Sequence, residues 1–234
     1  MGDFTSAIAA AVRLIVSLDR DLAQIVALSL QVSLSAVLLA TIIGLPLGGA
    51  IALVPFPGRG AAAALMNALM GLPPVVVGLV LYLLLSRSGP LGVLGLLFTP
   101  IAMIIAQCLL VIPIIAALTR QVVLDLHQEY DEQLRSLGTG IWRTILTLLW
   151  DGRFRLFTSV LAGFGRAIAE VGTVLIVGGN IDHYTRVMTT TIALETSKGN
   201  IPLALGLGII LIALSLGINI AAMAVRNVSH RRYG

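Results

Sequence analysis

The chain has 234 residues, of which 58% are apolar and 11% charged, and its formal net charge is +4. With a mean hydropathy of +1.01 this composition lies outside the range of soluble domains, so it predicts a protein whose solvent is lipid. The positive balance indicates basic residues near a membrane surface rather than nucleic-acid binding, because no basic cluster is interleaved with exposed aromatic residues.

The first 24 residues differ from the rest of the chain, because charged residues interrupt their apolar pattern. No basic region precedes a clean apolar core, which argues against a cleavable signal peptide. We therefore predict an amphipathic N-terminal segment (1–24) lying at the membrane interface, or equally a helical extension of the first span. Its apolar residues recur at three- and four-residue steps, at Phe4, Ile8, Ala11, Ile15, Leu18 and Leu22.

Five apolar stretches follow, each long enough to cross a bilayer as a helix, which needs about 20 residues. Such long unbroken runs exclude a barrel, so the prediction is an all-α membrane protein with one transmembrane domain (25–225) and a tail (226–234). A charged loop (120–155) separates the third span from the fourth. The predicted spans are 25–54, 61–86, 98–119, 156–179 and 201–225.

The placement of arginine and lysine predicts the orientation of these spans. The charged loop and the tail together hold most of the basic residues, so both are expected inside and the N-terminus outside. Glycine and proline also interrupt nearly every span, including Pro100 and Pro113 near the third. Such residues permit close packing or bent helices, as in a transport path, although each alone is ordinary in a bundle. They include Gly44, Pro46, Gly48, Gly49, Gly71, Pro73, Pro74 and Gly78.

The charged loop has an amphipathic start, a Gly138-Thr-Gly140 break and a second apolar helix, Ile141 to Trp150. Thr139 is expected to cap that second helix. A short helix of this kind fits a groove on a partner through its apolar face and its charged rim. The alternative is a solvated amphipathic connector.

Two ionisable residues, Arg166 and Glu170, lie within the fourth span, where charge is costly. Their i,i+4 spacing lets them pair on one helical face and fix helix packing. Alternatively, Arg166 lends positive potential to an anion pathway. After this span comes the most polar outer segment, in which Asn180, Arg186, Thr189 and Thr190 are suited to receive an oxyanion, or form a solvated loop.

Sites for catalysis or for a metal are hard to find in this sequence. Cys108 has no second cysteine to pair with, and the three histidines fall in three different segments. A phosphate-binding loop needs Gly-Lys-Ser/Thr, whereas the chain's one lysine, Lys198, precedes Gly199. We therefore expect no enzymatic activity and no cofactor in this chain. If ATP drives the protein, a partner must bind ATP and magnesium.

The charged loop resembles the coupling loop of ABC importer permeases, whose pattern is Glu-Ala-Ala, three residues, glycine, about nine residues, then Ile-x-Leu-Pro. Glu132 and Gly138 match its spacing, and Leu148 falls at the isoleucine position. Gln133 and Leu134 replace the two alanines. Trp150 and Asp151 stand where Leu-Pro is usual.

Two further segments indicate which subfamily of these permeases the chain resembles. Both are similar to segments of oxyanion permeases for molybdate and tungstate. The first is Gly71 to Gly92, and the second is Gly163 to Thr173, continuing through Gly179-Asn-Ile181 to Thr189-Thr-Thr-Ile. The Val-Val-Val-Gly and Gly-Gly-Asn-Ile runs favour the tungstate branch. The implied fold is a five-helix type I permease bundle of the cytoplasmic membrane with a cytoplasmic coupling helix. One alternative is a permease for molybdate or another oxyanion. A second is a channel or a structural membrane subunit without ATP coupling.

The resemblance also implies partners: a second copy of this chain, two ABC ATPase subunits that bind ATP and magnesium, an extracytoplasmic substrate-binding protein, and membrane lipid. The coupling loop would transmit closure of the ATPases to the spans and so drive alternating access. The residues expected to do so are Glu132, Leu134, Arg135, Leu137, Gly138 and Trp142.

Overall fold

The computed structural model describes residues 8–9, 12–13, 16–17 and 19–233, and at 221, 222 and 224–233 it describes the backbone alone. Within this part the regular structure is entirely helical, so the predicted all-α class is confirmed. The helices are α1 (Arg20–Leu53), α2 (Arg59–Met70), α3 (Pro74–Leu85), α4 (Pro100–Ser136), α5 (Ile141–Asp151), α6 (Arg153–Ile168), α7 (Gly172–Gly178), α8 (Met188–Ser197) and α9 (Ile201–Tyr233).

Most of the predicted amphipathic segment 1–24 and the side chains of the tail lie outside the described residues. Helix α1 begins at Arg20 rather than at residue 25. The carboxylate of Asp19 accepts hydrogen bonds from the backbone N–H groups of Asp21 and Leu22, at 3.0 and 3.1 Å. Asp19 thus satisfies donors that the first turn leaves open, and the helix starts there.

Three helical stretches are long and apolar enough to cross a membrane: Arg20–Leu53, Pro100–Ser136 and Ile201–Ile220. Two bent pairs, α2 with α3 and α6 with α7, raise the number of candidate spans to five if each pair forms one span. The sequence predicted continuous runs at 61–86 and 156–179. The first run breaks after Met70 because Pro73 and Pro74 lack the N–H groups that would continue the helix, and Pro74 starts α3.

The described chain forms two compact units. Unit 1 contains the described residues up to Ala36, together with Pro73–Gln107 and Ala167–Ile218. Helix α3 packs closely on α7, where a Cβ on Gly78 would lie 3.0 Å from the Cα of Thr173. The Thr173 hydroxyl donates to the Pro74 carbonyl at 2.7 Å. The buried core of this unit comprises Val32, Leu81, Leu85, Ala102, Met103, Ala106, Val174, Val177 and Val187.

Unit 2 contains Val37–Leu72, Cys108–Arg166 and the chain from Asn219. Here the second half of α1 packs against α4, and α5 packs on both helices. Arg59 closes the end of α1: its Nε donates to the Ile51 carbonyl at 2.9 Å, and its guanidinium also bonds to the Ala52 carbonyl. A cation at these carbonyls satisfies acceptors left open at a helix C-terminus. The buried core is Ala52, Leu53, Val123, Leu126, Leu134, Ile145 and Leu148.

Candidate functional site

The predicted coupling residues begin on the last turns of α4, which extends well past the predicted end of the third span at residue 119. Leu134 points into the core of unit 2. Glu132, Arg135 and Leu137 are exposed. One side of this segment is therefore anchored by apolar packing, and the other presents two charges and a leucine.

A ladder of three ionisable side chains runs along the same turns. Asp131 Oδ1 lies 2.9 Å from Arg135 Nε and 3.5 Å from His127 Nε2, with an i,i+4 step in each direction. These three residues line an open cleft of about 220 Å³, together with Leu53, Leu134, Thr139, Ile141 and Thr144. We did not predict Asp131 or His127 as part of the site, although their regular four-residue spacing was a usable signal.

The turn that ends α4 requires a glycine. Gly138 has a φ of +61°, in the left-handed region. Its N–H donates to the Arg135 carbonyl at 3.0 Å, and the Thr139 N–H donates to the Leu134 carbonyl at 3.3 Å. This pair of bonds is the Schellman motif, with glycine at the C′ position. The backbone, rather than space for a side chain, selects glycine here, since a Cβ would meet no atom within 4 Å.

The predicted capping role of Thr139 is wrong. Gly140 is the N-cap of α5, with φ −70° and ψ 155°, and no side chain caps the helix. The Thr139 hydroxyl instead donates to the Leu134 carbonyl at 3.0 Å and lies 3.0 Å from the Thr144 hydroxyl. It turns back to the carbonyls that α4 leaves open, so it stabilises the end of α4 rather than the start of α5.

Helix α5 is amphipathic. Ile145 and Leu148 are buried in the core of unit 2. Trp142, a predicted coupling residue, is exposed, as are Leu146 and Trp150. The whole coupling segment thus lies in unit 2, with Leu134 as its anchor and Gly138 as its turn.

Arg166 and Glu170 fall on either side of a helix end, because α6 stops at Ile168 and α7 starts at Gly172. Glu170 is only 3% exposed. Its Oε1 accepts the Thr173 N–H at 3.0 Å, and its carbonyl accepts the Thr189 hydroxyl at 2.8 Å. The carboxylate therefore satisfies a donor at the start of α7. The roles predicted for Arg166 and Glu170 stay predictions.

The threonines predicted at the outer anion entry form the first turn of α8, and their side chains are buried. Thr189 bonds to the Glu170 carbonyl, as described above. The Thr190 hydroxyl lies 2.9 Å from Asn180 Oδ1 and 3.0 Å from the Val187 carbonyl. Asn180 itself has a φ of +50°. These hydroxyls stabilise unit 1, because their hydrogen bonds join α8 to other residues of the same unit.

Arg186, the basic residue predicted in the same segment, pairs with Asp182, with Nη1 2.7 Å from Oδ1. Its Nε is buried and has no hydrogen-bond partner among the described residues. Next to this pair, His183 Nδ1 lies 2.9 Å from Gln24 Oε1. We missed Asp182 as a partner, although its i,i+4 spacing from Arg186 was visible in the sequence.

Comparison with known proteins places these features in a family. Residues 40–234 match the family model described as "Binding-protein-dependent transport system inner membrane component". The chain is 41% identical to the tungstate uptake system permease protein TupB of Peptoclostridium acidaminophilum, over 86% of this chain and 88% of that protein. It is also 41% identical to a probable anion ABC transporter permease protein of Haloferax volcanii, over 91% and 94%.

A more distant relative is the molybdenum transport system permease protein ModB of Azotobacter vinelandii, 27% identical over 74% of this chain and 80% of that protein. The resemblance to importer permeases is thereby confirmed. The chain is a multi-pass membrane protein. It belongs to the family of binding-protein-dependent transport system inner membrane components, the permease subunits of ABC transporters.

Proposed function

We propose that this chain is the permease subunit of an ATP-driven importer that carries an oxyanion across the cytoplasmic membrane by alternating access, and that the anion is tungstate. The observation that carries the substrate is 41% identity, over most of both chains, to a protein named as a tungstate uptake permease. Molybdate is the second candidate, supported by the ModB relative at 27% identity.

In this proposal, the ATP that drives transport is hydrolysed by partner subunits and not by this chain. Two ABC ATPase subunits bind ATP and magnesium, a second copy of the chain completes the pathway, and an extracytoplasmic binding protein delivers the anion. The basic residues of the 120–155 loop and the tail support a cytoplasmic C-terminus and an outer N-terminus.

Coupling follows from the shape of α4. This helix runs from the apolar span into the charged loop, and within unit 2 a force applied at its end is transmitted along it. Leu134 fixes the end of the helix to the core of unit 2, and Gly138 sets the direction in which the chain leaves. The exposed face for the ATPase consists of Glu132, Arg135 and Leu137. Trp142 lies in the first turn of the next helix, α5.

On the substrate side, we propose that Arg166 lends positive potential to the pathway while Glu170 holds the start of α7. Arg186 is the proposed donor at the outer entry, because its buried Nε still has a hydrogen to donate. Asn180, Thr189 and Thr190 support that entry by fixing the first turn of α8, next to which Arg186 lies.

Uptake of radiolabelled anion into vesicles holding the chain, its ATPase and its binding protein tests this proposal. We expect ATP-dependent uptake of labelled tungstate, and a small excess of unlabelled tungstate should abolish it. The same excess of molybdate should reduce this uptake less, and sulfate should barely change it. A non-hydrolysable ATP analogue is the control. Stronger competition by molybdate than by tungstate would reassign the substrate. Anion movement by the chain alone, without ATPase, would contradict the importer and support a channel.

A further inference from the structure

Helix α5 carries an apolar stripe on the side that faces away from its own unit. Trp142, Leu146 and Trp150 are 64%, 67% and 73% exposed. Their spacing of four residues places them on one face of the helix, and the opposite face carries the buried Ile145 and Leu148. Two indoles and a leucine in one continuous row are an unusual surface to leave in water.

The packing of α5 places its buried face beside the last turn of α1. A Cβ on Gly49 would lie 2.8 Å from Ile145 Cγ2, and Ile145 shares the core with Ala52 and Leu53, where α1 ends. At a rise of about 1.5 Å per residue, Gly49 lies about 6 Å from the end of that span. The buried face of α5 is therefore level with the last turn of a membrane helix.

The guanidinium of Arg59 marks the membrane surface at the same level. It bonds to the carbonyls of Ile51 and Ala52, in the last turn of α1. A guanidinium is costly in hydrocarbon and reaches toward the headgroups. We therefore expect the level of Ile51 and Ala52 to lie at the boundary between acyl chains and headgroups, with α5 packed at the same level.

Two exposed arginines lie on α5 and just beyond its end. Arg143 follows Trp142 on the helix and is exposed, and Arg155 is exposed just beyond the end of α5. The guanidinium of Arg153 lies 5.2 Å from the ring centre of Trp150. Tryptophan is enriched where acyl chains meet headgroups, and nearby arginine favours acidic lipid, so the stripe and these arginines match one surface.

We propose that α5 is an interfacial helix: Trp142, Leu146 and Trp150 insert into the headgroup boundary of the inner leaflet, and Arg143 and Arg155 select acidic phospholipid there. The inference rests on the proposed cytoplasmic side of the 120–155 loop but not on the anion carried. Because α5 starts three residues after Gly138, lipid contact would also hold the turn at Gly138 at a fixed distance from the membrane surface.

Trp142 and Trp150 are the chain's two tryptophans, so fluorescence excited selectively in tryptophan reports on this stripe alone. The test uses the full chain in phosphatidylcholine vesicles with brominated acyl chains, and the variants Trp142→Phe and Trp150→Phe to separate the two signals. We expect bromines near the headgroup to quench both indoles strongly, bromines near the terminal methyl to quench them less, and aqueous acrylamide to quench them weakly.

Two other results would overturn the lipid contact. Quenching by acrylamide but not by brominated lipid, with protection when the ATPase is added, would make the stripe an ATPase-docking surface. Protection from both quenchers in the chain alone would mean that a second copy covers it. Since neither ATP nor substrate is present, this result is independent of uptake.

The acidic-lipid preference is tested by comparing quenching by brominated phosphatidylglycerol and brominated phosphatidylcholine at equal mole fraction. Near the surface each arginine is worth about fivefold in preference for acidic lipid. We expect the double variant Arg143→Gln, Arg155→Gln to lose most of that preference while brominated phosphatidylcholine still quenches. Arg87→Gln, an exposed arginine elsewhere, is the matched control. Equal quenching by the two lipids in the unmodified chain would overturn the selectivity.

Discussion

Gly48 on α1 and Ala116 on α4 pack backbone to backbone: a Cβ on Gly48 would lie 2.4 Å from the Ala116 carbonyl oxygen. Gly44, one turn earlier, faces the same helix, with its Cβ position 2.9 Å from Ile115 Cγ2. Two glycines at i,i+4 thus form a flat face on α1, and this is how membrane helices approach closely without a large apolar driving force between them.

Replacing Gly48 with alanine should destabilise the protein. The new Cβ would meet a backbone oxygen that has no flexible side chain to move away, so we expect a loss of about 1–3 kcal/mol. Thermal unfolding in a fixed detergent measures it. Gly60→Ala is the matched control, because a Cβ there meets nothing within 4 Å in a helix. Equal melting temperatures for the two variants would contradict the close contact.

Gly138→Val should uncouple ATP hydrolysis from uptake. Valine at a φ of +61° costs about 1–2 kcal/mol or more, so the turn after α4 would change its path. Gly140→Val is the control, because residue 140 is extended and has room for a side chain. ATPase activity and anion uptake are measured in the same vesicles. Full uptake by a well-assembled Gly138→Val complex argues against a coupling role for this turn.

Ser29→Ala should destabilise unit 1. The Ser29 hydroxyl accepts the Met188 N–H at 2.7 Å in a buried position and so satisfies a donor in the first turn of α8. An orphaned buried N–H costs about 1–3 kcal/mol, which thermal unfolding resolves. Thr41→Ala is the comparison, because the Thr41 hydroxyl bonds to the Val37 carbonyl of its own helix. A larger loss for Thr41→Ala would disprove this assignment.

Arg166→Gln should reduce anion uptake by about tenfold or more if this arginine supplies potential to the pathway, because one missing charge near a desolvated anion exceeds 1.4 kcal/mol. The assembled complex should still form and hydrolyse ATP. Arg166→Lys, which keeps the charge, serves as the control and should retain more uptake. Wild-type uptake by the glutamine variant would limit Arg166 to helix packing.

Glu195 should contribute stability that depends on pH. Hydrogen bonds from Lys198, at 2.9 Å, and from Asn200, at 2.8 Å, lower the pKa of this carboxyl. A lowered folded-state pKa stabilises the fold above the unfolded pKa, and that stability is lost as pH falls below about 4.3 toward the folded value. We expect Glu195→Gln to cost about 1 kcal/mol or less near neutral pH, because Lys198 is half exposed.

Thermal unfolding of the wild type and of Glu195→Gln across an acidic pH series measures this effect. The difference between the two proteins should shrink as the pH drops, because the protonated glutamate no longer binds Lys198 as an ion pair. Glu129→Gln, an exposed carboxylate on α4, is the control. A difference that stays constant down to the most acidic pH would assign the effect to something other than this carboxylate.

The sequence by itself determined the membrane class and the turn at Gly138. These properties are local: hydropathy sums over about 20 neighbouring residues, and a left-handed turn at a helix end favours glycine whatever packs around it. The spacing of Glu132 and Gly138, together with the segments Gly71 to Gly92 and Gly163 to Thr173, also carried the resemblance to this family. Its match to residues 40–234 confirms that identification.

Only the tertiary structure decided how the polar side chains are used. Thr173 bonds to Pro74, Ser29 to Met188, and Thr189 to Glu170, and each of these bonds joins residues from different elements. No periodicity in the sequence encodes such partners. The same limit hid where α5 packs, because its place beside the last turn of α1 follows from the contact of Ile145 with Gly49. In an apolar environment buried polar groups must find partners within the protein, and which partners they reach depends on how the helices pack.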